Sequence, residues 1–345
     1  MSSSFITSQD QERGVEEPDN AHRISNVLYA GADDIIPCIA CWNCHGISMT
    51  KGPWHSSLCS VNPTWGTPPY KLQGISAPGI KKKVAVIGGG PAGMKAALTA
   101  AERGHNVTIY EKDAALGGLL KIADKSKTRW TFRKYKEWLI NQVKKNGIEV
   151  KTNTAATPEM IKAGKYDAVL VATGAEPVVS KMKVDGAKSF NILEAYDKKD
   201  ELGQNVVVIG AGKYGFELAL GLAMDVHKVT TLTSGDRLFE VDFQGPHNMA
   251  NQEGIYKNHP NFSYALNAEV KGVTGGKVTY KDSTGAEKSV QADSVVIWSG
   301  LKPRMDEAEK FLNCADEVYL AGDCTGKNGH LQKAIRSAFY AASQV

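Results

Sequence analysis

The chain has 345 residues, 42% of them hydrophobic and 23% charged, with a net charge of +4 and a mean hydropathy of −0.29. That profile belongs to folded globular domains, and the length suits about two of them. No apolar run approaches the ~18 residues that span a bilayer, the first twenty residues lack the apolar core of a secretory signal, and a charge this small does not argue for nucleic acid. A cytoplasmic setting is the expectation, in which clustered cysteines signal metal or redox chemistry rather than structural disulfides.

Residues 1–37 read as a tail or linker, and residues 38–80 as a loop-rich segment. The latter opens with CIACWNCHGISMTKGPWHSSLC, which places Cys38, Cys41, Cys44 and Cys59 in the spacing C-x2-C-x2-C-x14-C. Three thiolates at short intervals curl round one side of a compact cube of iron and sulfur, and a fourth from a distant loop closes the last corner. Structural zinc sites more often draw on two separate C-x2-C knuckles. The 3+1 pattern therefore favours a four-iron, four-sulfur cluster over zinc. His45 and His55 read as exposed loop residues, and Cys314 and Cys324 as packing thiols.

The basic run Lys81-Lys82-Lys83 reads as the solvated start of a strand. It leads into VAVIGGGPAGMKAALTAAERGHNVTIYEK, where a buried strand precedes Gly88-x-Gly90-x-x-Gly93 and a helix expected to turn Ala97, Leu98 and Ala101 inward. Gly104 ends the helix, and a second strand delivers Glu111, 23 residues past Gly88. The glycines permit a tight turn and close approach to a pyrophosphate, the helix N-terminus attracts its charge, and the acid is placed for a ribose hydroxyl. Strand, turn, helix and acid in register make this a dinucleotide-binding βαβ unit.

The unit recurs in NVVVIGAGKYGFELALGLAMDVHKVTTLT, with Gly210, Gly212 and Gly215 and a helix running through Glu217 and Leu220. The residue 23 past Gly210 is Thr233, not an acid. A carboxylate there would hold the 2′-hydroxyl of NAD and repel the 2′-phosphate of NADP. Thr233 and Ser234 can donate to a phosphate, with Arg237 or Lys228 supplying charge; a relaxed NADH site or a vestigial one stays open.

YDAVLVATGAEP (166–177) and DSVVIWSGLKP (293–303) each read as a buried strand ending in a glycine turn and a proline. VYLAGDCTGKNGHLQKAIRSAFYAA (318–342) reads as a strand, a Gly322-Asp323 turn and a closing helix. The order of thiol cluster, GGGPAG, YEKDAALGG (110–118), ATG, GAGKYG and AGD resembles the C-terminal half of the iron–sulfur flavoenzymes typified by bacterial 2,4-dienoyl-CoA reductase, trimethylamine dehydrogenase and the anaerobic enoate reductases. The resemblance covers residues 18 to 345, including CSVNP (59–63) after the fourth cysteine.

That resemblance implies an α/β fold of two Rossmann-like dinucleotide-binding domains, in the plan of two-domain, disulfide-reductase-like flavoproteins, behind the iron–sulfur segment. A discontinuous FAD domain would span 81–178 and 301–345, and a nicotinamide domain 179–300. Gly88, Gly90, Gly93, Glu111, Gly118, Thr173, Gly322 and Asp323 would contact FAD, with the Asp323 carboxylate on the ribityl chain. Gly210, Gly212, Gly215 and Thr233 would contact NAD(P)H, and Cys38, Cys41, Cys44 and Cys59 would hold the 4Fe-4S cluster. The family's FMN-binding TIM barrel, which needs about 200–250 residues, has no counterpart in the 37 residues ahead of Cys38. FMN and the organic substrate are therefore expected on a partner chain.

The expected function is an electron-transfer subunit passing electrons from NAD(P)H through FAD and the cluster to a barrel that reduces an activated C=C bond. Trp42, Trp54 and Trp65 are candidates for the surface meeting that partner. One alternative is the electron-accepting part of an amine dehydrogenase or demethylase that serves an electron-transfer flavoprotein. Another is a non-enzymatic nucleotide-binding scaffold with a structural cluster. Neither nucleic acid nor membrane is expected as a partner.

Overall fold

The computed structural model describes residues 32–41, 43–44, 58–65, 79–126, 129–238, 254, 256–326 and 330–345. His45, His55, Trp42 and Trp54 lie outside them. By compactness the chain divides after Ile36. In the first unit the described residues form one 3-10 turn, Ala32–Asp34. The second unit, from Pro37 onward, contains both major sheets.

Strands β1 (Lys83–Ile87), β2 (Asn106–Tyr110), β3 (Glu149–Lys151) and β4 (Ala168–Val171) enter the first sheet. β1 and β2 expose only their first residues and β4 exposes none. Such unbroken apolar runs suit parallel strands covered on both faces. The chain then leaves through β5 (Ala175–Pro177) and builds a second sheet from β6 (Lys188–Asn191), β7 (Asn205–Ile209), β8 (Lys228–Leu232) and β9 (Phe262–Ala265). An antiparallel meander follows: β10 (Glu269–Thr274), β11 (Lys277–Lys281) and β12 (Glu287–Gln291). The first of its turns is Gly275-Gly276, with φ positive at both residues as a two-residue hairpin requires. β13 (Ser294–Ile297) returns to the second sheet, β14 (Leu301–Pro303) pairs antiparallel with β5, and β15 (Glu317–Leu320) pairs parallel with β4. The sheet orders are β15-β4-β1-β2-β3 and β6-β13-β7-β8-β9. The chain thus leaves and re-enters its first sheet through the β5–β14 ribbon.

Four helices matter for the site: α1 (Pro91–Glu102), α2 (Trp130–Lys145), α3 (Gly212–Met224) and α4 (Leu331–Ala342). Helix α1 begins with Pro91, whose fixed φ and missing N–H suit a first turn. Its fully buried residues include Met94, Ala96, Ala97 and Ala100, while Leu98 and Ala101 are only half-buried. The expected inward face was rotated because α1 is covered twice, by its sheet and by the alanine-lined face of α4. No helix among the described residues is long and apolar enough to cross a membrane.

Candidate functional site

The first glycine turn is forced by backbone contact. A Cβ on Gly93 would lie 1.8 Å from the Gly88 carbonyl oxygen, and one on Gly88, where φ is +101°, would lie 2.4 Å from the Ala172 carbonyl oxygen. The middle residue of the triplet is equally constrained. The Gly89 N–H donates to Glu111 Oε2 at 2.7 Å, and a Cβ there would strike Leu116 and that carboxylate. Glu111 is buried, and its Oε1 also accepts from the Asp113 N–H at 2.9 Å. The carboxylate is fixed by two amides at the end of β2, each oxygen keeping a free lone-pair direction.

Gly90 and Gly118 meet face to face, since a Cβ on Gly118 would lie 2.9 Å from the Gly90 Cα. Gly322 brings the Asp323 turn against the same helix end; its Cβ would approach Ala92 to 2.8 Å, and its N–H donates to Ser337 Oγ at 2.8 Å. Gly88, Gly90, Gly93, Gly118, Gly322 and Asp323 therefore gather around the N-terminus of α1, and Glu111 stands at the adjacent strand end. Thr173 adjoins the same turn by its backbone, its nitrogen 3.6 Å from a Cβ placed on Gly88, while its hydroxyl donates to the Arg304 carbonyl and ties the β5–β14 ribbon.

Beside this turn lies a partly open cleft. Pro91, Leu119, Phe132 and Leu331 give it apolar walls, while Tyr214 and Glu217 reach it from α3. Asp323 faces it with Oδ1 buried and without a hydrogen-bond partner, and burial raises that carboxyl's pKa against the opposing pull of Lys333. A buried acceptor left unmade beside an apolar cleft is what a ligand hydroxyl would satisfy. Across the cleft, Arg129 pairs with Glu217, both largely buried, with the guanidinium also over the Phe132 ring at 4.4 Å. Burial lowers Arg129 to about 10, opposed by Tyr214 and Tyr196, so it stays charged at neutral pH. Neither partner of this pair was singled out as a site residue in the sequence.

The second turn repeats the first. A Cβ on Gly215 would lie 2.2 Å from the Gly210 carbonyl oxygen, and one on Gly210 would lie 2.2 Å from that of Trp298. Gly212 has φ +69°, and the Trp298 indole, packed on Tyr214 with centroids 5.2 Å apart, closes one side. Thr233 is buried at the end of β8, its Oγ1 accepting from the Gly235 N–H at 3.2 Å. Lys228 opens that strand, five residues or about 16 Å from Thr233. It is too far to serve a phosphate there, which leaves the exposed Arg237.

The four thiols sit on two loops bound to each other. The Asn43 side-chain amide and the Cys41 S–H both donate to Ser60 Oγ, at 2.7 and 3.3 Å. Burial raises the Cys44 thiol's pKa, and charge on Cys41, Cys59 and Cys38 raises it further, so all four are electrostatic neighbours. Backbone N–H groups of Ala40 and Asn62 donate to the sulfurs of Cys38 and Cys59 at 3.3 and 3.4 Å. Among the described residues, no three His, Cys, Asp or Glu are gathered tightly enough to grip a metal ion. Cys314 and Cys324 are buried, and neither lines the cleft.

Residues 82–341 match the family model described as pyridine nucleotide-disulphide oxidoreductase. The chain belongs to this family, and is an FAD-dependent NAD(P)H oxidoreductase. It is 32% identical over 326 residues to an NADH oxidase of Thermoanaerobacter brockii, covering 91% of this chain and 48% of that one. It is 30% identical over 317 residues to a cinnamate reductase of Clostridium sporogenes, covering 91% and 46%. Among solved structures, a 2-naphthoyl-CoA reductase in complex with 2-naphthoyl-CoA superposes with a TM-score of 0.83 at 29% identity, over 93% of this chain and 48% of that one. The chain spans about half the length of the curated relatives it matches.

Proposed function

We propose that this flavoprotein is the electron-input part of a C=C-reducing system, carrying electrons from NAD(P)H through FAD to a 4Fe-4S cluster. The first sheet with β15 and α4 (81–178 and 301–345) holds FAD: pyrophosphate at Gly88–Gly93 and Gly118, ribose at Glu111, ribityl chain at Asp323 beside Gly322. Residues 179–300 hold the nicotinamide nucleotide at Gly210, Gly212, Gly215 and Thr233. Cys38, Cys41, Cys44 and Cys59, in the segment 38–80, hold the cluster. The observation that carries this reading is the cleft itself. Residues of both nucleotide units line it, and the one unsatisfied buried carboxylate oxygen among the described residues, on Asp323, faces it.

The flavin supplies the conversion of a two-electron hydride into single electrons, and the cluster supplies one-electron relay. The chain's residues do the rest. Tyr214 and Glu217 bring α3 to the cleft, the apolar walls exclude water, and Ala40 and Asn62 amides stabilise thiolate charge at Cys38 and Cys59. The C-x2-C-x2-C-x14-C spacing favours a four-iron cube over a single tetrahedral zinc. The terminal step, on an enoate, enone or enoyl thioester, falls to an FMN barrel on a partner. Exposed Trp65, at 59% accessibility, is offered as part of the surface meeting it.

The test is anaerobic titration of purified protein with NADH and with NADPH, following flavin bleaching and iron content. Expected are bleaching, about four irons per chain, and no turnover of unsaturated substrates without added FMN protein. Gly215→Ala should abolish bleaching yet retain FAD, because its Cβ would collide with the second turn alone. Absence of bleaching by either nucleotide in wild-type protein would favour the amine-dehydrogenase alternative, to which Thr233 lends weight.

A further inference from the structure

The two helices that wall the cleft also grip the thiol loops, each with other residues. On α2, Arg129 at its start and Phe132 line the cleft, while Thr131 Oγ1 donates to the Ile39 carbonyl at 3.1 Å and the fully buried Tyr135 hydroxyl donates to the Val61 carbonyl at 3.4 Å. On α4, Leu331 and Ala334 line the cleft, while Gln332 Nε2 donates to the Leu58 carbonyl at 3.0 Å and Arg336 Nη1 to the Pro63 carbonyl at 3.0 Å. The four carbonyls flank ligating positions: Ile39 follows Cys38, Leu58 precedes Cys59, and Val61 and Pro63 lie two and four residues beyond it. Ile39, Leu58, Val61 and Pro63 lie outside helices and strands, so their carbonyls have no ladder to join and depend on such donors. The Arg336 guanidinium is itself braced, its Nη2 donating to the Tyr340 hydroxyl at 2.9 Å.

We propose that Thr131, Tyr135, Gln332 and Arg336 are positioning residues that fix the thiol loops to the walls of the flavin cleft, setting the distance over which electrons pass between them. This rests on the cluster and flavin assignments above. Electron transfer through protein weakens exponentially with distance, so a loop free to shift would slow the step. Four bonds from two rigid helices hold that separation without any residue entering the redox chemistry.

Gln332→Glu keeps the side chain's shape but removes its donor, and Arg336→Met keeps the unbranched stem but removes the guanidinium that makes both bonds. Neither residue lines the cleft. In protein stripped of iron, each variant should raise the rate at which iodoacetamide alkylates Cys59, read by mass spectrometry, by about tenfold, as one or two freed bonds allow. In loaded protein, flavin bleaching by NAD(P)H should be unchanged, while the electron paramagnetic resonance signal of the reduced cluster should grow about tenfold more slowly. Conservative Arg336→Lys should recover most of both losses. Alkylation and signal growth at wild-type rates in folded variants would overturn the proposal. Iron-free wild-type protein would overturn the cluster assignment and the relay role with it, leaving alkylation rates alone to decide whether the loops are clamped.

Discussion

The two βαβ units share one hydrogen-bond frame displaced by 122 residues. The Gly88 N–H donates to Tyr110 as Gly210 does to Leu232, and the Glu111 N–H donates to Lys151 as Thr233 does to Ala265. The Lys83 amide meets Asp167 Oδ2 as Asn205 meets Asp293 Oδ2, both at 2.7 Å. Even the residue pairs closing α1 and α3 correspond, with His105 bonded to Ala100 and His227 to Leu222. Of the positions that differ within this shared frame, three carry distinct consequences. Glu111 becomes Thr233, which keeps the bond to the amide two residues on but drops the charge and the bond to the glycine turn. Lys95, packed over the Phe339 ring, becomes Glu217, which pairs with Arg129 of the opposite unit. Gly104 becomes Val226. On the proposed reading the shared frame serves a dinucleotide turn, and the departures bear on which dinucleotide is held and how the halves are joined.

The largest effect should come from breaking the join. Arg129→Met leaves the Glu217 carboxylate buried and unpaired, which costs about 3–5 kcal/mol. Adding Glu217→Met should restore most of that, since two apolar side chains need no partner. Urea unfolding of the single and double variants measures both. An equally destabilised double variant would mean that packing, not charge, holds the units together.

Next comes the exchange of strand-end residues. Glu111→Thr strands the Gly89 amide and should cost about 1–3 kcal/mol of stability in the flavin-free protein, with FAD binding weakened 10–100-fold. Thr233→Glu installs a carboxylate where a 2′-phosphate would sit. It should shift the ratio of NADH to NADPH bleaching rates by at least about tenfold towards NADH, read by stopped flow. An unchanged ratio would show that Thr233 does not face the adenosine ribose.

The glycine turns were legible because backbone contact constrains residue type directly; Gly93 and Gly215 admit no side chain, and the sequence shows it. The return of residues 317–320 to the first sheet was likewise readable, from the chain order of its motifs. What stayed hidden depends on contacts between remote residues. Glu217 looked like one more helical residue because Arg129 lies 88 positions away. Thr131, Tyr135, Gln332 and Arg336 are ordinary on a helix until the loops they hold are seen. Lys228 misled because charge near a motif in sequence lies a full strand away in space.

The smallest effect concerns how the two helices end. Both close with the paired bonds of a left-handed cap: Gly104 donates to Ala101 and Val226 to Ala223, with the next residue reaching back five. Gly104 has φ +100° and Val226 has φ +69°. A β-branched side chain in that region costs about 1–2 kcal/mol through the clash of Cβ with the backbone. Val226 is 72% exposed, so little packing offsets the strain. Val226→Gly should therefore stabilise the protein, less the roughly 0.5–1 kcal/mol that glycine loses in backbone freedom, for a net gain of about 0.5–1 kcal/mol. Gly104→Ala should move the other way by about 1 kcal/mol. Urea midpoints on flavin-free protein should shift in opposite directions. A loss of stability in Val226→Gly would mean that the valine makes a favourable contact in the native state and that the two caps are not energetically equivalent.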